Sequence, residues 1–173
     1  MAHTTRVLIL QHPLEVHHAK NTARLLHLSL GGSQLLVGEA FDAPTLQTAL
    51  QGPATNVLLY PRSATASALD AGAVERAPQA QAEAAAFDAS THPPGQPLRL
   101  VVLDGTWRKS RKMLFENPVL QTLPRMMLID TPTSRYTIRK SHKPEQLATL
   151  EATGYALMQL ERNSEKYHPL LTA

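Results

Sequence analysis

Hydrophobic residues in this sequence occur as short continuous runs, separated by longer segments in which they recur three and four positions apart. Each run is apolar over most of its length and bounded by polar or turn-forming residues, which is typical of strands buried on both faces. We therefore predict five strands: Arg6–Gln11, Gln34–Val37, Asn56–Tyr60, Leu98–Leu103 and Arg125–Ile129.

The segments with helical spacing predict helices between these strands. Ala23, Leu26 and Leu30 share one helical face, and Gly31-Gly32 is expected to end that helix. Asp42 and an early proline mark the start of a short helix that reaches Leu50. The predicted helices cover 14–30, 42–50, 106–115 and 144–162, with a further one around 79–87.

Strands that alternate with helices indicate an α/β fold, with a mostly parallel sheet flanked by helices. The chain has 173 residues, which suits one domain with a sizeable core. We expect residues 1–173 to form a single α/β domain. Residues 64–97 are rich in Ala, Gln and Pro and are expected to be an irregular insertion or loop.

Composition narrows the class of protein. Hydrophobic residues make up 43% and charged residues 18% of the chain, which favours a globular protein over a disordered one. No apolar run approaches the roughly 20 residues of a membrane helix, and the N-terminus lacks a basic segment followed by a long apolar stretch. We therefore expect a cytoplasmic protein without a membrane span.

The chain has no cysteine, which excludes disulfides, thiolate zinc sites and iron–sulfur clusters. His12, His17, His18 and His27 lie close together in sequence and raise the possibility of a metal site. They lack a carboxylate–histidine spacing typical of metal ligands, so surface or helix positions are favoured. We expect no metal.

Positive charge is concentrated in one half of a chain whose formal net charge is +3. Between Arg99 and Lys143 there are ten Lys or Arg residues and three acidic ones, Asp104, Glu116 and Asp130. This excess of seven positive charges favours a polyanionic partner.

The segment Asp104-Gly-Thr-Trp107 follows the clearest predicted strand. Ligands of parallel sheets bind beyond the carboxyl ends of the strands, where Asp104 offers a carboxylate and Trp107 a ring that can stack on a base. Thr106 can cap the helix that follows. The alternative is a simple Asp-Gly turn followed by a core tryptophan.

Four basic residues follow this segment: Arg108, Lys109, Arg111 and Lys112. Arg108, Arg111 and Lys112 share one helical face. Such a run is often only a solvated surface, but its continuity with a carboxylate and an aromatic ring favours an RNA-facing catalytic edge.

An Asp-Gly-Thr segment after a strand also occurs in phosphoaspartate hydrolases. Their nucleophilic aspartate stands two residues earlier, where this chain has Val102, so that chemistry lacks its nucleophile. The sequence also has no glycine-rich phosphate loop or dinucleotide-binding motif.

The segment Leu103-Asp-Gly-Thr-Trp107, with Arg-Lys-Ser-Arg-Lys-Met113 after it, resembles the signature of DTW-domain proteins, the tRNA-uridine aminocarboxypropyltransferases. The resemblance extends over nearly the whole chain, because further stretches match in order. They are Leu10-Gln-His-Pro-Leu-Glu15, Lys20-Asn-Thr-Ala-Arg24, Leu59-Tyr-Pro61, Leu120–Pro124, Tyr136-Thr-Ile-Arg139 and Leu147-Ala-Thr-Leu-Glu-Ala152.

The resemblance implies a SPOUT-like fold with a knotted cofactor-binding region, which is otherwise a rare topology. It implies an enzyme that moves the 3-amino-3-carboxypropyl group of S-adenosylmethionine to N3 of a tRNA uridine. A carboxylate would accept the N3 proton as general base, and positioning would supply most of the rate. The alternatives are a non-catalytic RNA-binding protein of this fold and an S-adenosylmethionine-dependent RNA methyltransferase.

The resemblance also implies roles for individual residues. Asp104 is expected to act either as the base or as an anchor for the cofactor ribose, while Tyr136 and Arg139 are either ligand contacts or a structural pair. Glu151 is either near the cofactor or only a solvated or capping carboxylate. The catalytic candidates are Asp104, Thr106 and Trp107; those for cofactor binding are Leu59, Pro61, Leu103, Asp104, Trp107, Tyr136, Thr149 and Glu151; those for RNA binding are Arg108, Lys109, Arg111, Lys112 and Arg139.

The sequence departs from the family pattern in one respect. Many members carry cysteines in a zinc-binding arrangement before or around the first strand, and this chain has none. The absence bears on RNA affinity or stability rather than on the transfer chemistry, which needs no metal because a sulfonium is already a good leaving group.

Overall fold

Five parallel strands form one sheet in the computed structural model, which describes residues 3–18, 21–61, 84–93, 95–130 and 147–172. The strands follow the order β2-β1-β4-β3-β5, and every neighbouring pair is parallel. The predicted parallel α/β sheet is therefore confirmed. The strands are β1 (Arg6–Gln11), β2 (Gln34–Val37), β3 (Thr55–Leu59), β4 (Leu98–Asp104) and β5 (Arg125–Met126).

Helices cover both faces of this sheet. Buried side chains of α1, α5 and α6 pack on one face, and those of α2, α3 and α4 pack on the other. None of the described helices is long and apolar enough to cross a membrane. The helices are α1 (Thr22–Ser29), α2 (Ala43–Leu50), α3 (Trp107–Glu116), α4 (Pro118–Gln121), α5 (Thr149–Glu161) and α6 (Ser164–Thr172), with a 3-10 turn at Pro13–Glu15.

The continuous apolar runs reflect this double coverage. Every residue of β4 is buried, with Leu100 and Val102 facing α1 and α5 and Val101 and Leu103 facing α2 and α3. Because successive side chains of a strand point to opposite faces, a strand covered on both sides must be apolar at nearly every position.

The connections reverse direction between β1 and β4, which are neighbours at the centre of the sheet. From β1 the chain continues to β2 on one side, and from β4 it continues to β5 on the other. A crevice opens at the carboxyl ends of two such strands, and ligands of open α/β sheets bind there. In this protein the crevice lies between Gln11 and Asp104, which are paired in register.

The predicted helix over 14–30 is wrong in its first half. The helix begins only at Thr22, because the side chain of Asn21 accepts a hydrogen bond from the Arg24 N–H and caps it. Before it, His12 caps the 3-10 turn and accepts a hydrogen bond from the Leu14 N–H. Two polar caps therefore divide a segment that the apolar spacing treats as continuous.

Two further predictions fail on either side of β5. The strand predicted over 125–129 ends at Met126, because its partner β3 ends at Leu59 and is followed by Pro61, a residue without an N–H to pair. Residues 84–87 of the helix predicted around 79–87 are not helical, and Ala86 forms a parallel bridge with Arg125. Residues 79–83 lie outside the described residues.

The last predicted helix, 144–162, begins later than expected. Leu147 and Ala148 are not helical, since the Glu151 carboxylate accepts the Ala148 N–H and caps α5; residues 144–146 lie outside the described part. Helix α6 was not predicted, because only Tyr167 and Leu170 among its described side chains are buried. The other predicted elements match the observed ones to within one residue.

Candidate active site

The carboxylate of Asp104 lies in the crevice, at the end of β4. Only 6% of this residue is exposed. Its Oδ1 accepts a hydrogen bond of 2.6 Å from the Thr149 hydroxyl, and its Oδ2 accepts one of 2.9 Å from Gln11 Nε2. Both oxygens are therefore held by neutral donors, which fix the orientation of the carboxylate.

The two donors connect Asp104 to two helix N-termini. Thr149 is the first residue of α5, and Gln11 Nε2 also donates to Oδ1 of Asn21, the residue that caps α1. Helix N-termini carry a partial positive charge and favour nearby negative charge. The hydrogen bonds of Asp104 thus link it to the first residue of α5 and to the cap of α1.

The loop between β4 and α3 passes close to the end of β1. A Cβ at Gly105 would lie at an ordinary contact distance of 3.6 Å from Cβ of His12 but only 3.1 Å from Cβ of Lys109, so glycine relieves crowding against the first turn of α3. The hydroxyl of Thr106 accepts from the Lys109 N–H and caps α3, as its sequence position predicted. Trp107 is the first residue of α3 and is 49% exposed, so it is not a core tryptophan.

A cluster of Trp107, Tyr60 and Arg125 lies on the α3 side of this loop. The Tyr60 and Trp107 rings meet edge to face, with centroids 5.8 Å apart, and the Arg125 guanidinium lies 5.2 Å from the Tyr60 centroid. Tyr60 and Arg125 are both 6% exposed. Burial raises the pKa of Tyr60 and lowers the pKa of Arg125.

Two of the predicted RNA-binding lysines form ion pairs within the protein. Lys109 Nζ lies 2.7 Å from Glu15 Oε1, and Lys112 Nζ lies 2.6 Å from Glu39 Oε1. Because Glu15 and Glu39 follow β1 and β2, these pairs tie α3 to the loops at the carboxyl ends of the neighbouring strands.

His12 belongs to the same network. Its Nδ1 accepts from the Leu14 N–H, so the proton is on Nε2, which donates to Glu39 Oε2 at 2.8 Å. The Lys112 ammonium and, next, the His12 ring lower the pKa of Glu39. Asn117 braces the same loop, because its side-chain amide donates to the Glu39 carbonyl and accepts from the Phe41 N–H.

Arg108 and Arg111 are the exposed basic residues of α3 that form no ion pair with any described residue. Lys112 is 57% exposed even in its pair with Glu39. The basic surface predicted from the sequence is therefore present. Among its residues, the two arginines are the ones that form no ion pair with the described part of the chain.

The other residues predicted to bind the cofactor lie on different sides of the sheet or outside the described residues. Leu59 ends β3 and packs toward α1 and α5, whereas Leu103 is buried toward α2 and α3. The Pro61 carbonyl accepts from Arg125 Nη1 at 3.4 Å, and the Glu151 carboxylate accepts from the Ala148 N–H and caps α5. Tyr136 and Arg139 lie outside the described residues.

Sequence reasoning missed several polar residues of this region. Gln11 and Tyr60 were considered only as parts of a strand or a matched stretch, and His12 only as part of a matched stretch and as a weak metal candidate. One signal was available, since Gln11, Tyr60 and Asp104 all stand at the ends of predicted strands whose carboxyl ends share one edge of a parallel sheet. Within the described ranges, no three His, Asp or Glu side chains lie together in a way that could hold a metal ion.

The arrangement suits proton transfer or ligand binding by a fixed carboxylate. Asp104 has unused lone pairs besides those bonded to Gln11 and Thr149, and a flat ring can stack on the exposed face of Trp107. Donors, an aromatic ring and a basic helix surface meet at one edge of the sheet.

Comparison with known proteins gives one family over the full length. The family model described as the DTW domain matches residues 1–173. The chain is 29% identical over 168 residues to tRNA-uridine aminocarboxypropyltransferase 2 of Drosophila melanogaster. It is 27% identical to the protein of the same name in Macaca fascicularis and 26% identical to that of Mus musculus.

These matches cover 94%, 97% and 93% of this chain, but only 59%, 52% and 49% of the respective relatives. The chain thus spans about half the length of the curated relatives it matches. No solved structure matches it significantly.

Proposed function

The chain belongs to the DTW-domain family, and from this membership we propose that it is a tRNA-uridine aminocarboxypropyltransferase that uses S-adenosylmethionine. In this reaction N3 of a uridine loses its proton and forms a bond to a carbon of the donor. The bond between that carbon and sulfur breaks, and sulfur leaves as a neutral thioether. Three of its relatives carry the name of this activity.

The observation that carries the proposal is the Asp104 carboxylate at the crevice between β1 and β4. Its hydrogen bonds to Thr149 and Gln11 fix it in place, as a general base requires. In our proposal Asp104 accepts the N3 proton of the uracil. Thr149 and Gln11 act as positioning residues for Asp104 through these hydrogen bonds.

The residues at this edge fit the donor molecule. The buried donors of Tyr60 and Arg125 have no hydrogen-bond partner at Oη and Nε, and the exposed ring of Trp107 is available for stacking. S-adenosylmethionine supplies, when bound, a carbon attached to a sulfonium leaving group. The residues proposed to hold it are Leu59, Pro61, Leu103, Trp107, Thr149 and Glu151, with Tyr136 as a further candidate.

Arg108 and Arg111 are proposed to contact tRNA phosphates, with Arg139 nearer the reacting centre. Their charge is unshared among the described residues, and α3 carries them away from Trp107 along the same surface. Lys109 and Lys112 have a mainly structural role, because each already pairs with a carboxylate. Thr106 holds the loop through its cap of α3.

Three further predictions belong to the same proposal. They are a single domain over residues 1–173, a cytoplasmic location and a SPOUT-like knotted cofactor-binding region. Residues 131–146, between β5 and α5, lie outside the described residues, as do 64–83 of the predicted insertion.

The test is mass spectrometry of nucleosides from tRNA incubated with the protein and S-adenosylmethionine. We expect a uridine carrying the mass of the aminocarboxypropyl group, and its loss in the Asp104→Asn variant. Addition of a methyl mass would instead identify a methyltransferase. Saturable RNA binding with no added mass and no binding of S-adenosylmethionine would identify a non-catalytic RNA-binding protein.

A further inference from the structure

Arg125 is a buried cation that forms no ion pair with any residue in the described part of the chain. It is the first residue of β5, lies opposite Leu58 of β3 and is 6% exposed. Nη1 donates to the Pro61 carbonyl at 3.4 Å, whereas Nε makes no hydrogen bond. No carboxylate of the described residues forms an ion pair with it.

The hydroxyl of Tyr60 is a second buried donor in the same place. No partner meets hydrogen-bond geometry at this hydroxyl, although Ser110 lies near it and only 6% of the residue is exposed. An uncompensated buried charge costs several kcal/mol, and a buried polar group without a partner adds to that cost. Buried polar groups without a partner are rare in native proteins and call for a specific explanation, of which a bound ligand is one.

We propose that Arg125 and Tyr60 form a subsite for the α-carboxylate of the aminocarboxypropyl group. The inference rests on the proposed function and assigns to it the residues that bind the carboxylate of the donor. A guanidinium presents parallel N–H groups that match the two oxygens of a carboxylate, and the phenol supplies a further donor.

The position of the pair suits this role. In the register of β3 and β4, Leu59 lies opposite Val102, so continuing it by two residues brings Pro61 beside Asp104. Arg125 lies on the far side of β3 from Asp104, where its Nη1 donates to the Pro61 carbonyl. Tyr60 packs on the α3 face, and its ring contacts Trp107, three residues after Asp104. In the transferred group two carbons separate the reacting carbon from the carboxylate, so the carboxylate is expected to bind at a subsite beside the base and not on it.

A phosphate of the tRNA backbone is the other source of anionic oxygens. The burial of Arg125 and Tyr60 disfavours it, because a small ligand reaches buried donors more easily than a polymer backbone does. The exposed Arg108 and Arg111 are better placed for phosphates. Trp107 is the exposed member of the cluster, and its ring contacts that of Tyr60.

The experiment compares S-adenosylmethionine with decarboxylated S-adenosylmethionine, which lacks only the carboxylate. Binding is followed by calorimetry and by the fluorescence of Trp107, the single tryptophan of the chain. The proteins are the wild type, Arg125→Met, Tyr60→Phe and the control Arg99→Met, which removes an equally buried arginine whose hydrogen bonds are made within the protein.

The wild type and Arg99→Met are expected to bind S-adenosylmethionine at least about tenfold more tightly than the decarboxylated compound. In Arg125→Met the ratio is expected to fall to about one, with affinity for the decarboxylated compound unchanged. Tyr60→Phe is expected to lower the ratio a fewfold, and it keeps the test valid if Arg125→Met does not fold.

A preference that survives in both Arg125→Met and Tyr60→Phe overturns the inference, as does a wild type that binds both compounds equally. If the wild type still adds the aminocarboxypropyl group to tRNA in either case, only the inference is wrong. If it binds neither compound, the proposed function fails with it. A salt slope of tRNA binding that falls by about 0.7–0.9 in Arg125→Met identifies a phosphate site instead.

Discussion

Arg99 and Arg125 are equally well buried near opposite edges of the sheet, but only one has its donors satisfied. Arg99, near the amino end of β4, donates to Asn56 Oδ1 at 2.7 Å and to the Gln51 carbonyl at 2.8 Å. Arg125, beside the carboxyl end of β3, leaves its Nε without a partner. The first arginine joins parts of the fold, whereas the second keeps a donor available for something outside it.

The carboxylates at the two edges differ in the same way. At the amino edge, Glu161 accepts from the N–H groups of Thr4 and Thr5 and pairs with Lys166. At the carboxyl edge, the described partners of Asp104 are two neutral groups and include no cation. Glu161 therefore uses its charge for stability. At the carboxyl edge, where Glu15 and Glu39 are paired, the Asp104 carboxylate has no described cation and is available for chemistry.

The substitution Asp104→Asn gives the largest expected effect at the carboxyl edge. The side chain keeps its size but loses its charge and basicity, so transfer should fall about a hundredfold or more. The Thr149 hydroxyl can accept as well as donate, so it can bond the new amide and the melting temperature should change little. Nucleoside mass spectrometry and thermal melts measure the two effects.

Glu161→Gln is the matched control, because it neutralises a carboxylate at the other edge. It should lower stability and leave transfer unchanged at a temperature where the protein is folded. Normal turnover of Asp104→Asn would show that Asp104 is not the general base. A parallel fall in cofactor affinity and rate would favour its role as a ribose anchor.

Substitution of the two arginines by methionine tests the comparison directly. Arg99→Met should lower the free energy of unfolding by about 2–4 kcal/mol, because it leaves Asn56 Oδ1 and the Gln51 carbonyl without their donors. Arg125→Met should cost little or even stabilise the ligand-free protein, since it removes a buried charge that forms no ion pair with the described residues. Urea unfolding measures both, and equal losses would show that Arg125 is structural.

Acid should weaken the amino edge through Glu161. Burial raises the pKa of this carboxyl, but Lys166 and the N–H groups of Thr5 and Thr4 outweigh burial and hold the pKa at about 2, against an ordinary value of 4.5. The folded pKa is lowered, so this stabilisation is complete above pH 4.5 and is lost as pH falls toward 2.

Relative to Glu161→Gln, the wild type should therefore be more stable by about 1–2 kcal/mol near neutral pH, where the carboxylate is ionised. Thermal melts of both proteins between pH 7 and pH 2.5 measure the difference in stability. This difference should become smaller over about one or two pH units below pH 4.5. A constant difference over this range would mean that the Glu161 charge does not stabilise the amino edge.

The smallest expected effect separates the basic residues of α3. Arg108→Gln with Arg111→Gln should lower the salt slope of tRNA binding by about 0.7–0.9 for each phosphate that the protein no longer neutralises. Lys109→Gln with Lys112→Gln should lower it less, because these lysines already pair with Glu15 and Glu39. Filter binding at several salt concentrations measures the slopes, and equal reductions would show that the ion pairs open when tRNA binds.

The core follows from the sequence because its information is local. A side chain such as Leu26, fully buried under α1, reveals its position through spacing along a few neighbouring residues. For that reason Leu26→Ala should cost about 2–5 kcal/mol. The caps at Asp42 and Thr106 were also predicted, since a cap acts over three residues.

The errors in element boundaries have a common cause. Asn21, Glu151 and Pro61 set where elements begin or end, through side-chain caps or a missing N–H. The first two compete with an apolar spacing that continues past them. The spacing of apolar residues does not show where a polar side chain ends a helix, because one hydrogen bond from a cap can outweigh several weak preferences for a helix.

By itself the sequence determined the parallel α/β class, the core and the segment Asp104–Trp107 at the end of a strand, because each depends on residues close together along the chain. Only the tertiary structure decided which residues meet there. It brings Gln11 and Thr149 to Asp104 from 93 and 45 positions away, and it leaves Arg125 unpaired while Lys109 and Lys112 are paired. Hydrogen bonds and ion pairs depend on distances of a few ångströms in space, and those distances are set by the strand order and not by separation along the chain.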